Sequence, residues 1–309
     1  MSYILRAVAT LCAVVPLAAV DWLPIDPAQR SLTAPKIEAD ADAEILYWDF
    51  RVHDAFQGQD FWVNYDHYIR IKIFTEKGIR EYSSVELPSG PRINVSDVSA
   101  RSIKPDGTII ELRREDIIER EQLKAGRRKY RAKVINFPGV EKGSIVEYRF
   151  RELRTQQLST NLRIPFQREI PIHRLKVSIK PLQVDWLPYQ MRSYAFNVKI
   201  PAMTRDATGF GSFILEDRKS FRPEPFMTPE YQEREWMLIF YEEDRKLTPE
   251  KFWKDVGKDE YKAFRVGLKV DDSMKQAAAT ATATAVANDG LTAEAAVRRF
   301  GEARFETRG

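Results

Sequence analysis

The chain has 309 residues, 43% hydrophobic and 30% charged, enough apolar surface for a core and too much for a disordered chain. At roughly 150 residues per domain this length favours two domains over one small fold. Its 49 Lys and Arg against 45 Asp and Glu leave a net charge of +4, so no global field draws in nucleic acid and only a local cluster could steer a partner.

Arg6 is the only charged side chain before Asp21, and the run from Ala7 to Val20 is apolar. As a helix that run would be ~21 Å long, short of the ~30 Å hydrocarbon core of a bilayer. Pro16, Ala18 and Ala19 resemble a cleavage region, so residues 1–20 read as a signal peptide and the chain as exported, periplasmic or extracellular. An uncleaved anchor is the alternative, if Tyr3 to Leu5 extend the span. Cys12 is the single cysteine and lies in this run, which excludes an intrachain disulfide framework and any thiolate metal site in the remainder of the chain. No later segment is apolar enough for a transmembrane helix.

Residues 21–45 contain Pro24, Pro27 and Pro35 and then EADADAE, and read as an extended lead-in on the surface. Alternation then takes over. Tyr65, His67, Ile69, Ile71 and Ile73 share one strand face, with Arg70 and Lys72 on the other. Val146, Tyr148 and Phe150 alternate with Glu147, Arg149 and Arg151, as do Leu175, Val177 and Ile179 with Lys176, Ser178 and Lys180. Turn chemistry separates these runs at Pro105-Asp-Gly107, Asn136-Phe-Pro-Gly139 and Glu141-Lys-Gly143. Gly209-Phe-Gly211 predicts a bend between strands at Val198–Ile200 and Phe213–Leu215. The expected class is mainly β: two antiparallel β-sandwich-like units, 46–155 and 160–243, divided by the polar loop at Gln156–Asn161. A helical segment over 247–309 completes the chain. Thr248 before Pro249 marks a helix start, AAATATATAVA at 277–287 is low complexity, and Leu291 to Phe300 begins a last helix that lacks anything after it to pack on.

The search for catalytic chemistry gives few candidates. His53, His67 and His173 are far apart and lack metal-ligand spacing. His67 falls on an apolar strand face, the place of a satisfied core histidine, and His173 at the polar edge of a strand. There is no Gly-x-Ser-x-Gly elbow, phosphate loop or dinucleotide fingerprint, and no pair of carboxylates stands out. No cofactor is expected and no catalytic residue is assigned. The stretch from Lys124 to Lys133 holds six basic residues, Lys124, Arg127, Arg128, Lys129, Arg131 and Lys133, without an acid. It is a candidate site for a polyanion such as an acidic glycan; otherwise it is a solvated hairpin tip that keeps an edge strand from pairing, neutralised by Glu111, Glu115, Asp116, Glu119 and Glu121.

Several of these stretches together resemble the uncharacterised β-rich domain that precedes a transglutaminase-like core in secreted bacterial proteins. They are Ala41-Asp-Ala-Glu-Ile-Leu-Tyr47, Lys104-Pro-Asp-Gly-Thr108, Phe137-Pro-Gly-Val-Glu-Lys-Gly-Ser-Ile-Val-Glu-Tyr148, Pro165 through Arg222-Pro-Glu-Pro-Phe226 to Tyr241, and Leu291 to Phe300, which is similar to the first helix of that core. No position matches the core's cysteine, histidine and aspartate. The resemblance therefore implies an exported, non-catalytic binding or scaffolding module partnered by a transglutaminase-like core, in cis or as a separate chain. An envelope protein or an acidic glycan is a further expected partner. The alternative is an N-terminal fragment of a papain-like cysteine enzyme whose Cys-His-Asp lies beyond residue 309.

Overall fold

A computed structural model describes residues 22–57, 60–125, 128–182, 189–243, 248–267 and 272–273, 275–276, 279–280 and 283. The chain divides into two compact units, Met1–Asp244 and Arg245–Gly309. The expected leader, with Cys12, lies outside the described residues. So does the helix expected from Leu291.

The lead-in is not wholly extended. Asp26 caps one helical turn, α1 (Pro27–Arg30), through its carboxylate, with Pro27 at the first helical position. A long hairpin comes next, β1 (Ala43–Gln57) and β2 (Asp60–Ile73), then α2 (Glu76–Tyr82) and β3 (Ser84–Glu86). After these are β4 (Ile93–Ile103), β5 (Ile109–Glu111), the hairpin β6 (Ile117–Ala125) and β7 (Arg128–Asn136), β8 (Ile145–Thr155) and β9 (Leu162–Pro165). The unit ends with β10 (Ile172–Lys180), β11 (Tyr189–Phe196), β12 (Thr204–Arg205), β13 (Gly211–Arg218), α3 (Glu230–Glu233) and β14 (Trp236–Glu243).

These strands form an eight-stranded sheet in the order β12-β13-β10-β1-β2-β8-β4-β5 and two three-stranded sheets, β11-β14-β9 and β3-β7-β6. The mainly β, antiparallel class is what the sequence led one to expect. The step expected near residues 155–160 is a change of sheet: the chain leaves the large sheet after β8 and enters β9. It then returns, because β10 pairs in parallel with β1 from Ile172 opposite Ile45 to Lys180 opposite His53. Both expected β stretches therefore share one large sheet. The bend at Gly209–Gly211 joins β13 to Thr204–Arg205 and not to Val198–Ile200. Asn197, at φ 61°, turns the chain out of extended geometry just before that segment.

One apolar core binds the three sheets. The inner face of the large sheet contributes Trp48, Phe50, Val52, Tyr65, Ile69, Ile71, Tyr148, Phe150, Leu175 and Val177. Ile164, Met237 and Ile239 come from one small sheet, and Ile135 with the neighbouring Leu87 and Phe137 from the other. A bulge between Ile45 and Tyr47 lets Ile45 and Trp48 face the same side despite the odd spacing. Gly78 is required where α2 docks, since a Cβ there would lie 2.4 Å from the Asp42 carbonyl oxygen.

The outer face of the large sheet departs from the expectation of a solvated surface. Arg70, Lys72, Arg101 and Glu147 are all buried. The lead-in lies over them: Arg70 donates to the carbonyls of Leu23 and Pro24 and to Gln29 Oε1 at 2.8–3.1 Å. Glu147, fully buried, accepts from Arg70 Nε and Nη2, from Arg101 Nε at 2.7 Å, and from the Tyr68 hydroxyl. Lys72 has only carbonyls, donating to Arg30 O at 2.8 Å and Gly143 O at 2.5 Å. Burial without a counter-charge pushes its ammonium down to about 8. Leu46, Ile103 and Ile145 close this layer with Ile25 and Leu32 of the lead-in.

The described part of the second unit is α4 (Pro249–Gly267), with Thr248 Oγ1 accepting from Lys251 N. It is amphipathic, and Phe252, Trp253, Tyr261 and Phe264 are exposed. Of the alanine-threonine stretch, residues 279, 280 and 283 are described, and they are helical.

Candidate functional site

Between the two small sheets the inner face of the large sheet is left partly open, as a recess of about 350 Å³. Ile45 and Trp48 of β1, Ile69 and Ile71 of β2 and Tyr148 of β8 make its floor. Glu81 and Tyr82 of α2 with Ser84 and Val85 of β3 line one wall; Arg168, Glu169, Ile170 and Arg234 line the other. An apolar floor with a few convergent polar groups is the usual form of a ligand pocket, and the volume is within the ordinary range.

Arg168 is the central polar group. Its guanidinium lies 4.2 Å from the centroid of the Trp48 ring, in cation–π geometry. The segment that carries it is held from both sides. Arg168 O accepts from Phe221 N at 2.7 Å, Gln167 Oε1 accepts from Glu235 N at 2.9 Å, and Glu169 O accepts from Arg222 Nε at 3.0 Å. Arg234 also donates to Gln167 O. Loop residues clamped in this way hold a side chain in place without a ligand.

The donors of this recess are unspent. Arg168, an exposed residue, makes no ion pair among the described residues, and where its guanidinium packs on protein its pKa is pushed below the ordinary value, the nearby Arg234 adding to this. Trp48 is 2% exposed, and its indole Nε1 has no hydrogen-bond partner. Arg234 spends its two terminal nitrogens on Glu230 and Gln167 but leaves Nε, buried, without a partner. The Tyr148 hydroxyl stays protonated, pushed up to about 12 by burial. Buried donors without acceptors are costly, so a site that keeps Trp48 Nε1 and Arg234 Nε unpaired beside the exposed Arg168 guanidinium is arranged to receive an acceptor. A carboxylate on an apolar stem matches both parts.

His67 is next to this floor. As expected it sits on the core face, its ring stacked on Phe150 at 4.3 Å, but it is not satisfied: neither ring nitrogen has a hydrogen-bond partner. Burial holds it neutral, down to about 3, with Arg168 and Arg154 acting in the same direction. Its Nε2 is 3.8 Å from Glu152, a buried carboxylate that Arg154 Nε already bonds at 2.5 Å. The other two histidines lie elsewhere. His53 is on the opposite face of the β1–β2 hairpin, edge-on to Phe210. His173 meets Glu44 at 2.6 Å, and the same carboxylate accepts from Lys36 and Ile37 N, fixing the end of the lead-in. Among the described residues no group of three His, Cys, Asp or Glu could hold a metal ion.

The basic stretch is placed on the β6–β7 hairpin, where Glu121 is opposite Arg131 and Glu119 opposite Lys133. Lys133 turns inward and donates to Val95 O at 2.7 Å, which removes it from a polyanion site. The side chains of Lys124, Arg128, Lys129 and Arg131, and the whole of Arg127, lie outside the described residues. A second recess, about 440 Å³, opens on the outer face of the large sheet among Asp49, Arg51, Asp66, Tyr68, Asp97, Arg149 and Arg151. Its charges answer one another in part: Arg151 bonds Asp66 at 2.7 Å and reaches Asp97 at 3.5 Å, and Lys176 is 3.8 Å from Asp49, while Arg51 Nε and Asp49 Oδ1 have no hydrogen-bond partner. The recess of Arg168 is the stronger candidate because its unpaired donors border an apolar floor.

The fold has counterparts among solved structures. A candidate protease from Parabacteroides distasonis superposes with a TM-score of 0.54 at 14% identity, over 64% of this chain and 40% of its own length. This chain thus spans well under half of that protein, and the likeness is one of fold. Leukotriene A4 hydrolase from Saccharomyces cerevisiae (TM-score 0.31, 11% identity, 71% of this chain and 33% of the other) and a zinc metallopeptidase from Deinococcus radiodurans (0.29, 10%, 66% and 43%) are too distant to carry any argument. No curated protein matches by sequence. Residues 60–209, from the start of β2 to the bend before β13, match the family model of DUF3857, a domain of unknown function with a solved structure.

Proposed function

We propose that this chain is an exported, non-catalytic binding module that accompanies a transglutaminase-like core, and that its recess takes the carboxylate end of an apolar or aromatic group. The observation that carries the binding part is the Arg168 guanidinium, without an ion-pair partner, lying on a buried Trp48 whose indole N–H has no acceptor. A carboxylate placed there gains a charge-assisted bond from Arg168 and accepts from Trp48 or Tyr148, while its stem covers Ile69 and Ile71. The partnership with a core is supported by the order of the sequence motifs. Export is supported by the signal-peptide-like run of residues 1–20.

The test is calorimetric titration of the full chain with 3-phenylpropionate and with the neutral 3-phenylpropanamide. The acid is expected to bind with a Kd of about 0.1–1 mM and the amide at least ~10-fold more weakly. Arg168→Ala removes that preference and Arg163→Ala, outside the recess, leaves it. Equal binding of acid and amide, or an unchanged preference in Arg168→Ala, would overturn the assignment. Reading the coding sequence past the Gly309 codon tests the partnership: an in-frame Cys-His-Asp order places the core in cis.

A further inference from the structure

Most sheet edges in the first unit are blunted. The large sheet ends in β12, two residues long, and β5, three. The β3-β7-β6 sheet ends in the three-residue β3 and in β6, which carries Glu119, Arg120, Glu121 and Lys124. Short or charged edges resist pairing with another chain. On the third sheet, β9 is four residues long and closes with Pro165.

Its other edge, β11, is built differently. It runs for eight residues, YQMRSYAF, without proline or lysine, and its one charged side chain, Arg192, is tied to Glu242 at 2.6 Å. Pairing with β14 is unbroken from Tyr189 opposite Glu243 to Phe196 opposite Trp236. Asn197 fixes the end of the strand by donating through Nδ2 to Arg234 O at 2.8 Å and Tyr231 O at 3.4 Å. The result is an ordered edge about 27 Å long at ~3.4 Å per residue.

The outer side of this sheet carries cross-strand ring stacks. Phe196 lies on Trp236 at 4.3 Å and 11°, and Tyr194 on Phe240 at 5.7 Å and 13°. Each β11 ring has one face against a β14 ring, so its other face is turned away from β14, toward the side where no further described strand pairs. Tyr194 is 57% exposed and Phe196 39%. A strand added at β11 would continue both the hydrogen-bond ladder and the ring stacks.

We infer that β11 is an interface between two copies of this chain, each adding its β11 antiparallel to the other across a two-fold axis. The occupant is a second copy because β11 complements itself. Strand side chains alternate with period two, so an antiparallel β11 pair keeps Gln190, Arg192, Tyr194 and Phe196 of both copies on one face. Centred on Tyr194, it stacks the two Tyr194 rings and sets Arg192 beside Phe196 of the second copy. Centred on Ser193, it sets Arg192 beside Tyr194. Either register covers an exposed ring with a ring or a guanidinium, and neither opposes like charges.

Sedimentation velocity of the full chain from about 1 to about 200 µM tests this, with a monomer–dimer equilibrium expected inside that range. Tyr194→Lys together with Phe196→Lys, both at exposed positions, shifts the protein to monomer while its thermal transition is retained. Independently, in a Cys12→Ser chain, single cysteines at Ser193, Tyr194 and Ala195 are oxidised in turn. The one at the two-fold axis forms an intermolecular disulfide at high yield, and this decides the matter should the lysine variant not fold. A monomer throughout, a dimer unmoved by the folded lysine variant, or a dimer without any such disulfide overturns the inference. Binding of 3-phenylpropionate is untouched by the lysine changes, so this result and that of the recess are read separately.

Discussion

The two faces of the large sheet both gather charged groups, and they do so to opposite ends. On the outer face Glu147 gathers Arg70, Arg101 and Tyr68, and the remaining arginine donors are closed by carbonyls of the lead-in. Every nitrogen of the Arg70 guanidinium has somewhere to go, although Arg51 Nε, farther along the same face, does not. On the inner face Arg168 lies on Trp48 with no ion pair among the described residues, and indole, guanidinium and imidazole nitrogens of Trp48, Arg234 and His67 are left without acceptors. A closed network fastens one segment of the chain to another, whereas an open one with clamped donors is ready for a group from outside. Nearness to the sheet alone therefore does not separate structural charge from binding charge.

The sharpest way to break that contrast is to open the closed side. Glu147→Gln leaves the buried Arg70 without a counter-charge and Arg101 with only Glu111 at 3.9 Å, and is expected to cost about 3–5 kcal/mol in urea unfolding, with new proteolytic cleavage in residues 22–36 as the lead-in lifts. If stability is unchanged, the outer network is not what holds the lead-in. Acid titration comes next. His67 is held neutral to about pH 3 in the folded chain, while in the unfolded chain it takes up a proton near 6.5. The unfolded state therefore binds more protons between these values, and stability falls as pH drops through that window by up to about 1.4 kcal/mol per pH unit. His67→Phe removes that share of the slope, read from unfolding midpoints at pH 4, 5 and 6.

Lys72 gives a smaller effect of the same origin on the other face. Its folded value near 8 lies below that of a free lysine, so the folded chain loses the proton first and stability rises from pH 8 toward 10 by less than about 1.4 kcal/mol per pH unit. Above pH 10 the trend reverses, because Tyr47, Tyr82 and Tyr148 are pushed up to about 12 and keep protons that the unfolded chain releases. Lys72→Met flattens the rise; a rise that persists in the variant would remove Lys72 as its source. Least of all is Arg168→Ala, expected to change unfolding stability by within about 0.5 kcal/mol while abolishing the preference for a carboxylate. A loss of several kcal/mol there would make Arg168 a structural residue like Arg70.

The strands were largely legible in the sequence because alternation is a local property. Tyr65 to Ile73, Val146 to Phe150 and Leu175 to Ile179 all face inward as their spacing dictates. The same spacing placed Arg70, Lys72 and Glu147 on a wet face. What buries them is the lead-in, and a run of prolines and short polar residues gives no local sign that it will cover a sheet. The recess was not legible at all. Trp48 reads as one more core ring, and Arg168 sits in Gln167-Arg-Glu169, a charged turn like many others. Their meeting depends on the return of β10 to the side of β1, a long-range pairing that no window along the chain reports. The basic stretch was conspicuous for the opposite reason, since its signal is entirely local, and Lys133 shows how little such a signal says about where a side chain goes.

The parallel partnership of β1 with β10 has a kinetic consequence. β1 can zip against β2 as soon as the first hairpin is made, but its other edge stays bare until everything from Phe74 to Pro171 has been synthesised and put in place. The middle of the sheet is thus completed late, by a contact of high sequence separation that is intrinsically slow to form. Until then an unfinished chain carries an open row of amides at its centre, and a nascent or shortened version ending before Ile172 would be the aggregation-prone form of this protein.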